Sequence, residues 1–288
     1  MLLIFEAGIN HNGDIEIAKR LIDMAVEIKE KSNIPKEEIV IKFQKREPTI
    51  CVPFSQREKL KETPWGEMTY LDYKKKLEFG KKEYDEIDAY CKEKDILWTA
   101  SAWDIPSVEF LDQYNLPFIK IPSAKITDEE LVKECGKRFS NIIISTGMST
   151  EEEIDQCMNW LGGDCSDLTI LHCNSSYPAS DDELNLNYLL TLQKKYPEAR
   201  IGYSGHEVGI SASIVSAVLG AEVIERHITL DRSMWGTDQA ASIVFDQAYR
   251  LARDLNKIDV WLGDGIKKVY DSEKEAMKKL RWTEYKKK

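Results

Sequence analysis

Short apolar runs alternate with amphipathic segments along most of the chain. Residues 2–7 form the first run, and Ala18, Leu21, Ile22 and Ala25 then mark one face of a helix. The same change, from a run typical of a buried strand to a spacing typical of a helix, recurs through the sequence. It predicts eight strands, at residues 2–7, 38–43, 96–101, 117–121, 141–145, 168–173, 200–203 and 223–227.

Helical patterns follow these strands in turn, and residues 184–195 and 245–258 are two examples. Strict alternation implies a parallel sheet with both faces covered. Eight units over about 260 residues match a closed (β/α)8 TIM barrel of the α/β class. A doubly wound open sheet is the alternative, but no GxGxxG sequence follows the first strand. We predict one domain over residues 1–288, with a long insertion at about residues 46–80 and a charged C-terminal tail at about residues 267–288.

The charge and the cysteine content narrow the functional classes. A net charge of −10 and a pI of about 5.1 argue against nonspecific binding to nucleic acid or to an anionic membrane surface. No apolar run approaches the roughly 20 residues of a membrane helix, and the first residues lack the basic start of a signal peptide. The six cysteines form no CxxC pair. We therefore expect a cytoplasmic protein that acts on small molecules.

Two histidines lie at the ends of neighbouring predicted strands. His206 follows the seventh strand and His227 ends the eighth, a separation that fits one β-loop-α-loop-β unit. Side chains alternate along a strand, so Glu225 shares a face with His227 and Arg226 points away. Two imidazoles and a carboxylate at one strand edge predict a divalent metal site. Each histidine taken alone could equally be a hydrogen-bonded structural residue.

Two lysines, Lys42 and Lys120, lie inside otherwise apolar strands. An unpaired buried charge is costly, so each lysine needs a partner. That partner could be Glu6 or Glu225, in a structural ion pair. Two lysines at one rim, with several hydroxyl groups at other strand ends, instead predict an anionic ligand such as a phosphate or a carboxylate. The chain has no Walker A sequence for nucleotide triphosphates.

Ten runs of residues resemble one known family. They are FEAGINHNGD, IKFQ, WGEMTYLDYKKKLEF, ASAWD, IKIPSA, ISTGMS, LHCNSSYP, IGYSGHE, IERHITLDR and WGTDQAAS, in order between residues 3 and 243. The sequence resembles the N-acetylneuraminate (sialic acid) synthase family, which includes the synthases for legionaminic and pseudaminic acids. The resemblance implies a metal-dependent condensation of phosphoenolpyruvate with N-acetylmannosamine, a related N-acylated sugar or its 6-phosphate. The products would be a nine-carbon 2-keto acid and phosphate.

The resemblance also implies a role for each candidate residue. His206 and His227 would hold Mn²⁺ or Mg²⁺, Glu6 would lie near the sugar aldehyde, and Glu225 would help to position the attacking water or the metal shell. The expected phosphoenolpyruvate contacts are Lys42, Ser101, Lys120, Ser123, Ser145, Ser175 and Ser204. Ser101 and Ser175 stand where some members have Thr and Asn. The expected sugar contacts are Gln44, Tyr177 and Asp238.

The family pattern continues into a small antifreeze-like domain that has no counterpart in these 288 residues. In the family this domain reaches across a dimer, so the alternatives for this sequence are a homodimer, a separate chain that supplies the missing domain, an incomplete sugar site, or a site adapted to another substrate. Two other functions stay open at this point. One is a different metal-dependent aldolase or isomerase that uses the same histidine pair without phosphoenolpyruvate. The other is a non-catalytic barrel that acts as a binding partner in a sugar pathway.

Overall fold

A computed structural model describes residues 1–162 and 167–281. The chain divides into two compact units, Met1–Asn256 and Lys257–Lys288. The single domain expected over residues 1–288 stays a prediction. Of the expected charged tail, residues 282–288 lie outside the described residues.

The first unit contains a closed barrel of parallel strands. The strands of the described chain are β1 (Leu2–Gly8), β2 (Ile39–Lys45), β3 (Leu60–Lys61), β4 (Met68–Thr69), β5 (Leu97–Ala102), β6 (Ile119–Ile121), β7 (Asn141–Ser145), β8 (Asp167–Cys173), β9 (Arg200–Gly205) and β10 (Val223–His227). Eight of them close in the order β1-β10-β9-β8-β7-β6-β5-β2, and β3 pairs only with β4. The predicted (β/α)8 barrel is therefore confirmed.

Helices lie after the barrel strands, within the insertion and in the second unit. They are α1 (Ile15–Ser32), α2 (Pro48–Cys51), α3 (Tyr70–Leu77), α4 (Lys81–Glu93), α5 (Ile105–Leu111), α6 (Glu129–Arg138), α7 (Glu151–Leu161), α8 (Tyr188–Lys195), α9 (Ser211–Val218), α10 (Phe245–Leu255), α11 (Ile258–Leu262) and α12 (Asp271–Leu280). No helix of the described residues is long and apolar enough to cross a membrane.

Two predicted helices have different bounds in the structure. The segment predicted at 184–195 begins its α-helix at Tyr188, because residues 181–183 form a separate 3₁₀ turn. The long helix predicted at 245–258 ends at Leu255. Both segments have a continuous helical pattern of apolar residues, and that pattern alone does not reveal where backbone hydrogen bonding stops.

Local capping explains where several other helices begin. The Asp14 carboxylate accepts hydrogen bonds from the backbone N of Glu16 and of Ile17 at the start of α1. Thr150 and Glu153 form a capping box at the start of α7. These side chains satisfy N–H groups that the first turn of a helix leaves free, so the loop above each strand ends at a fixed place.

The barrel interior is built in layers. An apolar floor is formed by the inward side chains Ile4, Val40, Phe118, Ile143, Leu171 and Val223. Side chains of a strand alternate between its two faces, so the next inward residue lies two positions further along. Those next residues are Glu6, Lys42, Lys120, Ser145, Cys173 and Glu225, and all are buried. The apolar floor thus supports a charged and polar layer towards the carboxyl ends of the strands, where barrels of this type hold their active sites.

Candidate active site

A pocket of about 580 Å³ opens above the apolar floor. All the residues predicted for the site line it except Asp238. They are Glu6, Lys42, Gln44, Ser101, Lys120, Ser123, Ser145, Ser175, Tyr177, Ser204, His206, Glu225 and His227. Asp238 lies next to the pocket, with its Oδ2 atom 3.9 Å from His227 Nδ1. Strands that are far apart in sequence therefore bring their polar and charged side chains together at one end of the barrel.

Two lysines and two carboxylates form the deepest part of this pocket. Lys42 Nζ lies 2.6 Å from Glu6 Oε2 and 3.6 Å from Glu225 Oε2. Lys120 Nζ lies 3.7 Å from Glu225 Oε1 and donates to Ser145 Oγ at 2.5 Å. Both lysines thus have carboxylate partners and still line the pocket. The structure therefore contains the ion pairs that the sequence allowed, and the anionic ligand stays a prediction.

The surroundings set the protonation of this cluster. Burial favours a higher pKa for Glu225, but the ammonium groups of Lys120 and Lys42 outweigh it and hold the pKa at about 2. Burial raises the pKa of Glu6, an effect that Lys42 only partly opposes. Burial also lowers the pKa of Lys120. Glu225 is therefore the firmly ionised carboxylate, and Glu6 is the one better suited to carry a proton.

The two predicted metal ligands lie side by side. The ring centres of His206 and His227 are 5.3 Å apart, and the Tyr177 ring lies 4.1 Å from that of His206. His206 Nδ1 is 2.6 Å from the backbone O of Asn174. A carbonyl oxygen accepts a hydrogen bond, so this contact favours a proton on Nδ1, and in the neutral ring Nε2 is then the electron-pair donor.

The residues of the pocket fit a divalent metal with two imidazole ligands. Burial lowers the pKa of His227 to about 3, so this ring is neutral at physiological pH. Its Nδ1 atom is buried and has no hydrogen-bond partner. Across the described residues, no group of three or more His, Cys, Asp or Glu side chains is arranged to hold a metal ion. Oxygen atoms of water and substrate would therefore have to complete the coordination of an ion held by His206 and His227.

Hydroxyl groups surround the lysines. Ser204 Oγ donates to Glu225 Oε1 at 3.1 Å, and Ser123 Oγ accepts from the backbone N of Gly147 at 3.1 Å. A Cβ atom on Gly147 would lie 2.1 Å from Ser175 Oγ, so a glycine here lets the backbone approach the serines closely. Such a ring of hydroxyl and N–H groups around two ammonium ions suits an oxygen-rich anion.

Comparison with known proteins gives this pocket a family context. A family model described as the NeuB family matches residues 36–267. The chain is also 34% identical over 279 residues to the N-acetylneuraminate-9-phosphate synthase of Homo sapiens, covering 96% of this chain and 76% of that protein. The chain belongs to the NeuB family.

Other NeuB-family relatives differ in the names of their products. The N,N'-diacetyllegionaminic acid synthase of Campylobacter jejuni is 35% identical over 286 residues, covering 97% of this chain and 83% of that protein. A solved sialic acid synthetase from Leptospira borgpetersenii, in complex with citrate, superposes with a TM-score of 0.81 at 30% identity. It covers 96% of this chain and 90% of that one. The chain is therefore a synthase-type enzyme, as the sequence predicted.

A second ion pair lies behind the pocket of this NeuB-family barrel. Arg226 points away from the barrel interior, as strand alternation predicted. It donates to Glu207 Oε1 at 2.6 Å, to the backbone O of Gly209 at 2.8 Å and to Ser213 Oγ at 3.0 Å. The Tyr203 hydroxyl donates to Glu207 Oε2 at 2.7 Å. The pair joins the residue after His206 to the residue before His227, so it holds the loop after β9 against β10.

The other two histidines lie outside the pocket lining. The His172 ring faces α8, with Nε2 2.7 Å from the backbone O of Leu184. The His11 ring stacks on Phe79 at 3.9 Å between centres, and burial lowers the pKa of His11 to about 3. The pocket-facing residue of β8 is Cys173.

Cys173 and Trp103 are pocket residues that the sequence analysis missed. Cys173 Sγ lies 3.7 Å from His206 Nδ1. Strand alternation counted from the inward Leu171 would have identified this cysteine, because the two residues share a face. The indole Nε1 of Trp103 donates to Ser101 Oγ at 3.2 Å. Trp103 follows β5 in a loop, where no periodic pattern tells which way a side chain points.

Proposed function

We propose that this chain condenses phosphoenolpyruvate with the open-chain aldehyde of N-acetylmannosamine, a related N-acylated sugar or its 6-phosphate. A bond forms between C3 of phosphoenolpyruvate and the aldehyde carbon, and the aldehyde oxygen takes up a proton. Water adds to C2, and the resulting intermediate releases phosphate. The product is a nine-carbon 2-keto acid. Family membership and the pocket of lysines, hydroxyls and imidazoles support this reaction.

The single observation that carries the proposal is that Lys42 and Lys120 lie at the same barrel mouth as His206 and His227. Phosphoenolpyruvate bears a carboxylate and a phosphate, which two ammonium groups and several serine hydroxyls can hold. The nucleophile is a carbon of the donor itself, so the protein needs no Ser or Cys nucleophile. The lysines therefore orient the donor and stabilise the negative charge that develops on oxygen.

His206 and His227 would hold the divalent metal, Mn²⁺ or Mg²⁺. When bound, the metal supplies a Lewis acid for the aldehyde oxygen. The raised pKa of Glu6 suits this carboxyl to hold the proton that the aldehyde oxygen takes up. Glu225 stays ionised between the lysines and can orient the attacking water. Gln44, Tyr177 and Asp238 would contact the acceptor sugar.

The test is phosphate release with a panel of acceptors. The panel contains N-acetylmannosamine, its 6-phosphate and the precursors of legionaminic and pseudaminic acids. We expect release only when phosphoenolpyruvate, one of these sugars and Mn²⁺ or Mg²⁺ are present together. The product mass should equal that of the two substrates plus water minus phosphoric acid. Metal-loaded protein that turns over none of the panel would refute the proposal. Turnover of a sugar without phosphoenolpyruvate would indicate an aldolase or isomerase instead.

A further inference from the structure

The insertion, residues 46–80, places three cations beside the main pocket. Arg46 follows β2, Lys61 ends β3 and Lys74 lies in α3. We infer that these three side chains form an anion-binding site that takes a phosphoryl group carried by the acceptor sugar. The inference rests on the proposed function and names the class of acceptor that the chain uses.

Arg46 lies at the rim of the main pocket. One of its Nη atoms donates to Gln44 Oε1, and its guanidinium stacks 3.8 Å above the centre of the Trp103 ring. Gln44 and Trp103 both line the main pocket. Arg46 also lines a second pocket of about 440 Å³, together with Lys74 and Glu78. The cation cluster therefore adjoins the part of the main pocket where we expect the sugar.

Lys61 and Lys74 converge on the same aromatic rings. Their Nζ atoms lie 4.7 and 5.6 Å from the centre of the Tyr73 ring, and 5.9 and 5.3 Å from that of Tyr70. Lys61 Nζ also lies 5.8 Å from the Trp235 ring, whose Nε1 donates to the Tyr73 hydroxyl. Cation–π contacts thus hold two like charges close together.

These cations lack acidic partners. In the part of the chain that the structure describes, no carboxylate oxygen lies within 4 Å of the Arg46 guanidinium or of the Lys61 and Lys74 ammonium groups. Glu78 accepts instead from Lys45 Nζ at 2.7 Å and from the backbone N of Arg46 at 3.2 Å. The Arg46 Nε atom is buried without a hydrogen-bond partner. The cluster therefore has unused donors and an excess of positive charge.

A bound anion would neutralise part of the positive charge of this cluster. Burial first, and then the charge of Arg46, lowers the pKa of Lys74 to about 8, and Lys61 acts in the same direction. A phosphoryl group offers several acceptor oxygens to a planar guanidinium and to point-like ammonium groups. Asp238, which acts on Lys74 in the opposite sense, is also the carboxylate beside His227. Asp238 is therefore close to both the cation cluster and the histidine pair.

The position of the cluster suits the far end of the acceptor. A sugar whose aldehyde faces His206 and His227 would extend past Gln44 towards Arg46 and Lys74. A neutral hydroxyl at that end would leave the partly buried cations without a counter-charge, whereas a phosphoryl group would supply one. The site should therefore distinguish a phosphorylated sugar from its free form.

The test compares the protein and its K74M variant on N-acetylmannosamine and its 6-phosphate. We expect wild type to prefer the 6-phosphate in kcat/KM by at least about tenfold, because a hydrogen bond to a charged group is worth that much or more. K74M should lose about 10- to 100-fold on the 6-phosphate and stay within about twofold on the free sugar. K75M is the matched control, since Lys75 is the exposed neighbour in α3 and pairs with Asp72 at 4.0 Å. K75M should leave kcat/KM unchanged for both sugars. K74R should keep the preference for the 6-phosphate.

Binding measurements separate this inference from the proposed function. Calorimetric titration of each sugar into the manganese-loaded protein needs no turnover, so selective binding of the 6-phosphate that K74M abolishes would support the site even if the condensation failed. Equal use and equal binding of both sugars by wild type would overturn it. An equal loss on both sugars in a folded K74M would assign Lys74 a structural role and also overturn it. Activation of the free sugar by inorganic phosphate would indicate a site for a separate anion, against an acceptor-borne group.

Discussion

Strand β10 carries one buried ion cluster on each of its faces, and the two differ in how completely their partners are provided. On the outer face, Arg226 bonds to Glu207 and to two further acceptors, and Tyr203 satisfies the second Glu207 oxygen. On the inner face, Glu225 Oε2 and His227 Nδ1 are buried without hydrogen-bond partners. Among the described residues of the outer cluster, only Arg226 Nε is similarly unpartnered.

This difference in hydrogen bonding distinguishes groups that stabilise the fold from groups that take part in the reaction. A network whose members satisfy one another holds a loop in place and has little left to offer a ligand. A cluster with open donors and acceptors is stabilised further when a ligand arrives, so it can bind. We therefore expect the outer network to be needed mainly for folding, and the inner cluster mainly for the reaction.

The largest expected effect is on the outer network. Arg226→Met removes the only cation that pairs with Glu207 among the described residues and leaves a buried carboxylate without a counter-charge. We expect the free energy of unfolding to fall by about 3–5 kcal/mol, measured by urea denaturation. The rate per folded molecule should fall much less. A variant as stable as wild type would show that the network contributes little to the stability of the fold. It would contradict the proposed difference between the outer network and the inner cluster.

The opposite result is expected for the inner cluster. Lys120→Met should lower kcat/KM by about 10²–10³-fold, because an ammonium that stabilises developing charge is lost. The unfolding free energy should change by less than about 1 kcal/mol, because Glu225 still faces Lys42 at 3.6 Å. Lys125→Met is the control, since Lys125 lies just beyond the same strand and pairs with Asp128 at 3.0 Å. If Lys120→Met lowered the stability but not the rate, Lys120 would have a structural role and not a role in the reaction.

Metal binding should also depend on the inner face alone. Mn²⁺ at about 100 times its dissociation constant should raise the unfolding free energy by about 2.7 kcal/mol, seen as a higher melting temperature. His227→Gln should abolish this rise. His172→Gln is the matched control, because it removes a buried imidazole outside the pocket. If His227→Gln keeps the full response, the ion binds elsewhere.

The most gradual effect, spread over several pH units, concerns His11, a buried imidazole outside both clusters. Its folded-state pKa of about 3 lies below the usual 6.5, so the unfolded chain binds an extra proton between these values. Stability is therefore complete above about pH 6.5 and falls as the pH drops towards 3, by at most about 1.4 kcal/mol per pH unit. His11→Asn should flatten the slope between pH 6 and 4 in acid denaturation. An unchanged slope would mean that other groups account for the acid sensitivity.

The sequence predicted side-chain positions where residues repeat with the period of a strand or a helix. It did not predict them where no such period exists. Alternation along β10 assigned Glu225 and His227 to one face and Arg226 to the other, and the structure places them so. The same rule, applied to β8, would have given Cys173. The insertion has no such period. Lys74 and Lys75 are adjacent and chemically identical in the sequence, and only the fold decides which of them packs against the aromatic rings.

The layered barrel interior limits how this enzyme can change over time. Each side chain of the polar layer stands two residues beyond an apolar floor residue, as Lys42 does after Val40. Adding or deleting one residue within β2 would turn Lys42 and Gln44 to the outside and bring Phe43 into the mouth. Length variation is therefore confined to the loops above the strands. A change in a loop segment such as the insertion can alter the preference for an acceptor sugar. The layer of side chains that would hold phosphoenolpyruvate then stays unchanged.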